Sequence, residues 1–441
     1  MSRITSNQMR RSLLLLLLTL TVACDRHIVP SDGPIELAAP GRTNANVTLS
    51  ADGDLVAAAW AATGAAGTDV YAAFSTDGGR TFGPPRLVND IDGDVTANGE
   101  QPPRIVIRGT AVDVLWVSKR AGVAAIRAAT SADGGSTFRP ARTITPAGLT
   151  GARGWESAAI GEDGTLHAVW LDGRNAAPHA SGASSAPHTA GAHAMHHGDM
   201  RQDIYHAMWR PSIASAGADG TPVETPVASN VCFCCKTAIA MRGRDVFIAW
   251  RHLFPGGVRD IAVARSADGG RTFASPVRAS EDNWQIDACP DDGPAIALDD
   301  EGALHLAWPT MVKDGGTPRM AIFEATSRDG GVTFSPRRRV DAATTSASHP
   351  RIAAGPGART AIVWDELGGG ARRVMIRMSE GVATAISDGR MAMYPAVAAT
   401  RAGFVVAWTD QSADRAVVRA LRLGELDGPA DLQAAKRGKP D

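Results

Sequence analysis

Two phrases repeat along this 441-residue chain, and a repeat constrains a fold more tightly than any local propensity. The first, S-x-D-G-G-x-T-F, occurs four times, at Ser75–Phe82, Ser131–Phe138, Ser266–Phe273 and Ser327–Phe334. The second, a short apolar run ending in tryptophan, occurs seven times, at Trp60, Trp116, Trp170, Trp250, Trp308, Trp364 and Trp408. Successive tryptophans lie 56, 54, 80, 58, 56 and 44 residues apart, and the longest gap holds an insertion at 175–200. Where both phrases are present, the serine follows the tryptophan by 15, 15, 16 and 19 residues. Each unit therefore reads as an alternating segment, the tryptophan strand, a third strand entering the S-x-D-G-G turn, and a fourth strand after it. Four short strands in about 55 residues describe one blade of a β-propeller. The expectation is an all-β, single-domain propeller over residues 35–426 with seven blades. The last unit lacks a fourth strand, and the orphan segment Ile35-Glu-Leu37 is placed to supply it and close the ring.

The charge balance narrows function. Lys plus Arg number 45 against 46 for Asp plus Glu, which removes the electrostatic basis for nucleic-acid binding. The N-terminus reads as an address. Arg3, Arg10 and Arg11 precede a leucine run over 13–20 that is too short to span a bilayer, followed by Ala23 and Cys24. This pattern resembles a bacterial lipoprotein signal. The resemblance implies removal of residues 1–23, lipidation of Cys24, a short linker over 24–34, and a membrane-anchored protein facing the periplasm or cell surface. Residues 427–441 read as a disordered tail.

The S-x-D-G-G-x-T-F phrase resembles the Asp-box of the sialidase superfamily, and the resemblance extends over nearly all of the mature length. Six blades is that family's commonest count, so a seventh is a departure. The eight Ser and Asp residues of the phrase (Ser75, Asp77, Ser131, Asp133, Ser266, Asp268, Ser327 and Asp329) are structural on this reading. Their side chains bond backbone groups of a tight hairpin while the glycines take positive φ. The seven tryptophans, and the matched pair His167 and His305, are expected to pack between blades.

Ligand-facing residues should precede each inner strand. Counting back from the tryptophans aligns Asn46, Pro102, Glu156, Lys236, Gly293, His349 and Tyr394 around one rim. The family resemblance implies a tyrosine nucleophile, an activating glutamate, an aspartate acid/base and an arginine cradle. Tyr394, Glu156 and Asp292, or Asp291 beside it, stand at matching places. Arg42, Arg104 and Arg351, with Gln101 and Trp155, are the substrate-binding candidates. A site of this kind would make the chain an exo-α-sialidase-like glycoside hydrolase of terminal sialic acid.

The cysteines give a different clue. Cys232, Cys234 and Cys235 precede the inner strand of blade four, and Cys289 occupies the equivalent position in blade five. With His349 they form a donor set for a soft metal such as copper, and the histidine-rich insertion adds further imidazoles. Oxidation to two disulfides is the competing expectation for an exported chain. The leading functional expectation is an envelope protein whose funnel binds a small-molecule, glycan or metal ligand. The hydrolase is the alternative, and a scaffold for another envelope protein, stapled by disulfides, is the third.

Overall fold

The computed structural model describes residues 29–30, 33–120, 122–176, 201–211, 220–286, 290–314, 316–342, 344–379, 381–388, 391–411 and 415–424. Cys24, Cys289, the leader, the tail and the histidine-rich tract lie outside these residues.

The described strands form seven antiparallel sheets in chain order, six of them four-stranded. Blade one runs Thr43–Asp52, Leu55–Gly64, Gly67–Ser75 and Arg86–Leu87, and the next five repeat this order. Blade seven supplies Ala392–Thr400, Gly403–Gln411 and Ala416–Gly424, and Ile35–Leu37 pairs with the last of these. The orphan strand therefore closes the ring as its pattern predicts, and Val29–Pro30 extends the same edge. This architecture is a seven-bladed β-propeller. Among the described residues the one helical turn named is Pro255–Gly257, and no helix is long and apolar enough to cross a membrane.

Every repeated tryptophan is at most 1% exposed. Each fills the seam toward the preceding blade: Trp116 lies against Ala57, Ala59 and Val70, Trp250 against Val169 and Leu171, and Trp60 against Ala396 and Ala407 of blade seven. The alanine-rich second strand of blade one, with Ala57 and Ala59, makes room for Trp116. Truncating one such side chain to alanine removes about 3–5 kcal/mol, so the repeat holds the circle together.

The S-x-D-G-G-x-T-F turns form as expected. In the first, Ser75 Oγ donates to Asp77 Oδ1 at 2.7 Å and accepts from Gly79 N–H at 2.9 Å, while Asp77 accepts from both N–H and hydroxyl of Thr81. The turns at Asp133, Asp268 and Asp329 repeat this network. Each follows a third strand. Antiparallel alternation therefore puts all four turns on the face opposite the starts of the inner strands.

His167 Nδ1 and His206 Nε2 meet at 3.0 Å inside blade three, and burial holds both well below the usual imidazole range. His305 bonds Asp299 at 2.9 Å. Both expected packing histidines thus serve the blades.

Candidate functional site

The inner strands of blades one, three, six and seven share a defect. Their register slips between Ala45 and Thr48, Gly154 and Ser157, Ser348 and Arg351, and Met393 and Ala396. The first looped-out residue of each is left-handed without being glycine: Asn46 (φ 61°), Trp155 (φ 53°), His349 (φ 59°) and Tyr394 (φ 53°). Such conformations cost about 1–3 kcal/mol each and persist where the surroundings enforce them. Here the preceding blade does so. The N–H groups of Asn46, Trp155, His349 and Tyr394 donate to side-chain oxygens of Thr409, Gln101, Asp292 and Asp365 at 3.0, 3.0, 2.7 and 2.8 Å.

These bulges surround an axial cavity of about 150 Å³ lined by all seven inner strands. Three cations from alternate blades face it: Arg104, Lys236 and Arg351. Glu100 ties them together. Its carboxylate lies 2.7 Å from Lys236 Nζ and 3.6 Å from Arg351, and Lys236 also reaches Asp292 at 3.0 Å. Burial would raise Glu100, but Lys236, Arg351 and His349 hold it near 2. Arg104 is lowered to about 10 by burial and by the nearby charge of Arg351. Among the described residues its Nη2 has no hydrogen-bond partner, nor do Glu100 Oε1 and both Glu156 carboxylate oxygens. Buried polar atoms left open in this way each call for a partner or a role.

At the mouth, the rings of His349 and Tyr394 lie 4.3 Å apart at 42°. His349 Nδ1 bonds Asp365 at 2.7 Å. Burial opposes the imidazolium, but Asp365, Asp292 and Glu100 outweigh it and raise His349 above its ordinary value. Burial also raises Tyr394, helped by Glu100, Asp365 and Asp291. The tyrosine ring lies flush on Gly99, where an added Cβ would stand 2.1 Å from it. Asp291 is raised by burial and by Glu100, and it faces the Trp155 indole. Glu156, wholly buried beside Arg104, is lifted by desolvation to about 7.

The sequence candidates are thus partly assembled. Tyr394, His349, Arg104, Arg351, Gln101 and Trp155 converge on one rim. Glu156 does not partner Tyr394. Its charged neighbour is Arg104, and the carboxylate brought to the tyrosine is Glu100. Both oxygens of Asp292 are engaged, by Lys236 and by His349 N–H, so Asp291 is the freer acid. Arg42 is drawn away to Asp69 at 2.6 Å and onto the Tyr71 ring. Lys236 stands on the aligned rim, but its pairing with Glu100, and Asp365 behind His349, were not expected. Glu100 and Lys236 lie 136 residues apart, and no local spacing announces such a pair.

The cysteine loop sits on the same face, at the end of the strand Val223–Cys232. Cys232 Sγ lies 3.5 Å from Cys235 Sγ and 3.9 Å from Cys234 Sγ, and all three sulfurs fall within 4.8 Å of one another. His349, expected as a fourth donor, is held in the funnel by Asp365, and no imidazole joins this cluster among the described residues. Cys234 is disulfide-bonded, whereas Cys232 and Cys235 are free thiols. Of the five cysteines, the remaining two, Cys24 and Cys289, lie outside the described residues. The hydrogen bond from Cys235 is the main influence on Cys232; burial opposes it, Arg259 and Arg251 assist, and the thiol falls to about 6. Burial pushes Cys235 well up.

No family model matches the chain, and no curated protein does. Among solved structures, an ulvan lyase, a polysaccharide lyase, is similar at 10% identity with a TM-score of 0.54, over 91% of this chain and 99% of that one. The phage phi92 endosialidase aligns at 12% identity and TM-score 0.49, over 92% and 70%. The intramolecular trans-sialidase from Ruminococcus gnavus aligns at 13% and 0.45, over 77% and 92%. At such identities the likeness to the ulvan lyase shows the propeller fold.

Proposed function

We propose that this chain is a glycan-active propeller of the cell envelope whose axial funnel receives an anionic sugar residue. The acid group of the sugar lies toward Arg104, Lys236 and Arg351, and His349 and Tyr394 move protons at the mouth. The observation that carries this reading is the ring pair, 4.3 Å apart, seated on two left-handed bulges and facing the same Glu100 that gathers the cations. Export and lipidation at Cys24 belong to the same proposal and rest on the sequence.

The electrostatics favour proton donation by Tyr394 over nucleophilic attack. Its phenol is held above the ordinary value of 10.0, and the facing carboxylate, Glu100, is held near 2. Moving the phenol proton onto that carboxylate is strongly uphill, whereas a protonated phenol is ready to serve a departing sugar oxygen. The sequence resemblance to sialidases supports a glycan ligand. So does the ulvan lyase propeller, which has also been solved bound to a repeat containing GlcA.

The test is a panel of sialylated oligosaccharides and uronate polysaccharides. Reducing ends report cleavage, and the ultraviolet absorbance of an unsaturated product separates elimination from hydrolysis. Turnover of one class is expected, reduced about 100-fold or more in Tyr394→Phe with binding retained. Full activity in that variant removes the phenol from the chemistry. Failure of either class to bind by calorimetry overturns the glycan reading.

A further inference from the structure

Among the described residues, two buried arginines beside the cysteine loop have no carboxylate partner. Arg251, 1% exposed, donates among the described residues to the carbonyls of Arg259, Asp292 and Pro309 and stacks on Trp284 at 4.7 Å. Arg259, 5% exposed, donates through Nη1 to Cys232 Sγ at 3.3 Å. No carboxylate among the described residues forms an ion pair with either. A buried cation without an anion is strongly unfavourable, and the group positioned to supply the negative charge is the Cys232 sulfur. Two guanidiniums at this position repel a metal ion, and one lone pair of Cys232 already accepts from Arg259. The third sulfur, Cys234, is committed to a disulfide.

What remains is a C-x-x-C pair, Cys232 and Cys235, both free, with sulfurs 3.5 Å apart. A turn at residues 233–234 brings them together. A disulfide bond needs about 2.0 Å, a small closure for residues in a turn. Beside them opens a cavity of about 800 Å³ lined by Asn230, His252, Phe254 and Arg259, a size suited to a small organic ligand. Arg259 lines this cavity and also holds Cys232, so it connects the two.

We propose that Cys232 and Cys235 are a redox-active dithiol that exchanges with a low-molecular-weight disulfide entering this cavity, Cys232 attacking and Cys235 resolving. The Cys232 thiolate attacks one sulfur of the disulfide R–S–S–R, forming Cys232–S–S–R and releasing R–S⁻, which takes up a proton. Cys235 then gives up its proton and attacks Cys232 Sγ, and the second R–S⁻ leaves and is protonated. Two electrons pass from the protein dithiol to the small disulfide, leaving a Cys232–Cys235 bond and two free thiols. Arg259 Nη1 donating to Cys232 Sγ suits Cys232 to attack, and the 3.5 Å approach of Cys235 Sγ places it to resolve. Burial of both sulfurs, 3% and 1% exposed, excludes the disulfide of a folded partner and favours a small one.

The test equilibrates the full chain with mixtures of reduced and oxidised glutathione, traps thiols by alkylation and maps bonds by mass spectrometry. The expected result is a reversible Cys232–Cys235 bond, with Cys232 alkylated about tenfold or more faster than Cys235 at pH 7. Cys235→Ser should accumulate glutathione on Cys232, and Cys232→Ser should accumulate none. Should Cys232→Ser not fold, the Cys235→Ser trap decides alone. Oxidation that joins Cys232 to Cys234, inertness of both thiols in a folded chain, or stoichiometric copper or zinc shielding them each overturns the proposal.

Discussion

The two faces of this propeller are built by opposite means. On one, four turns repeat the same hydrogen bonds to within about 0.3 Å, each Ser, Asp and Thr partnered. On the other, each blade differs from its neighbours, four bulges hold left-handed side chains, and buried polar atoms stand open. Repetition makes the scaffold, because one local solution serves every blade. Chemistry gathers where the repeat is broken, because a reacting ligand needs unlike groups from unlike blades.

The largest effect that tests this contrast is expected at Lys236. Lys236→Ala leaves Glu100 and Asp292 buried without their shared cation, and should destabilise the fold by about 3–5 kcal/mol in urea titrations. A loss below about 1 kcal/mol would mean that the funnel carboxylates draw on other partners. The repeated face offers the next test. Gly135 has φ 81°, and an added Cβ would stand 2.1 Å from the Phe74 ring of blade one, so Gly135→Ala should cost about 2–3 kcal/mol while leaving ligand binding at the funnel unchanged.

The third effect has the opposite sign. Burial lifts Glu156 from 4.5 to about 7, so between these values the folded state holds a proton that the unfolded chain has released. Stability then falls as pH rises through that window. Glu156→Gln should therefore stabilise the protein by about 3 kcal/mol at pH 8 and by nothing at pH 4, read from melting curves at the two pH values. Equal effects at both would show that the carboxyl is not desolvated.

The fold was legible because a propeller writes its architecture once per blade. The tryptophan count yields seven sheets, and the missing fourth strand of the last unit points to Ile35–Leu37. The rim was legible in composition but not in register. Counting from the tryptophans places Glu156 beside His349 and Tyr394, whereas the bulge makes Trp155 their equivalent, a slip of one residue. Bulges are invisible to spacing, since the extra residue is set by cross-strand pairing. Arg42 was misassigned for a similar reason: Asp69, which captures it, lies on another strand of its own blade. The cysteine pattern announced a cluster, but the two arginines that give it an electrostatic character come from the end of the second strand of blade four and the loop after it.

The seam that completes the circle has a mechanical consequence. Five cross-strand positions join the N-terminal segment to the last strand: Val29 to Gly424, Pro30 to Leu423, Ile35 to Ala420, Glu36 to Arg419 and Leu37 to Val418. Any tension drawn along the chain from its N-terminal side meets these five before it reaches the rest of the toroid. They act as a fuse: the rupture force of the clasp sets the load at which the ring opens.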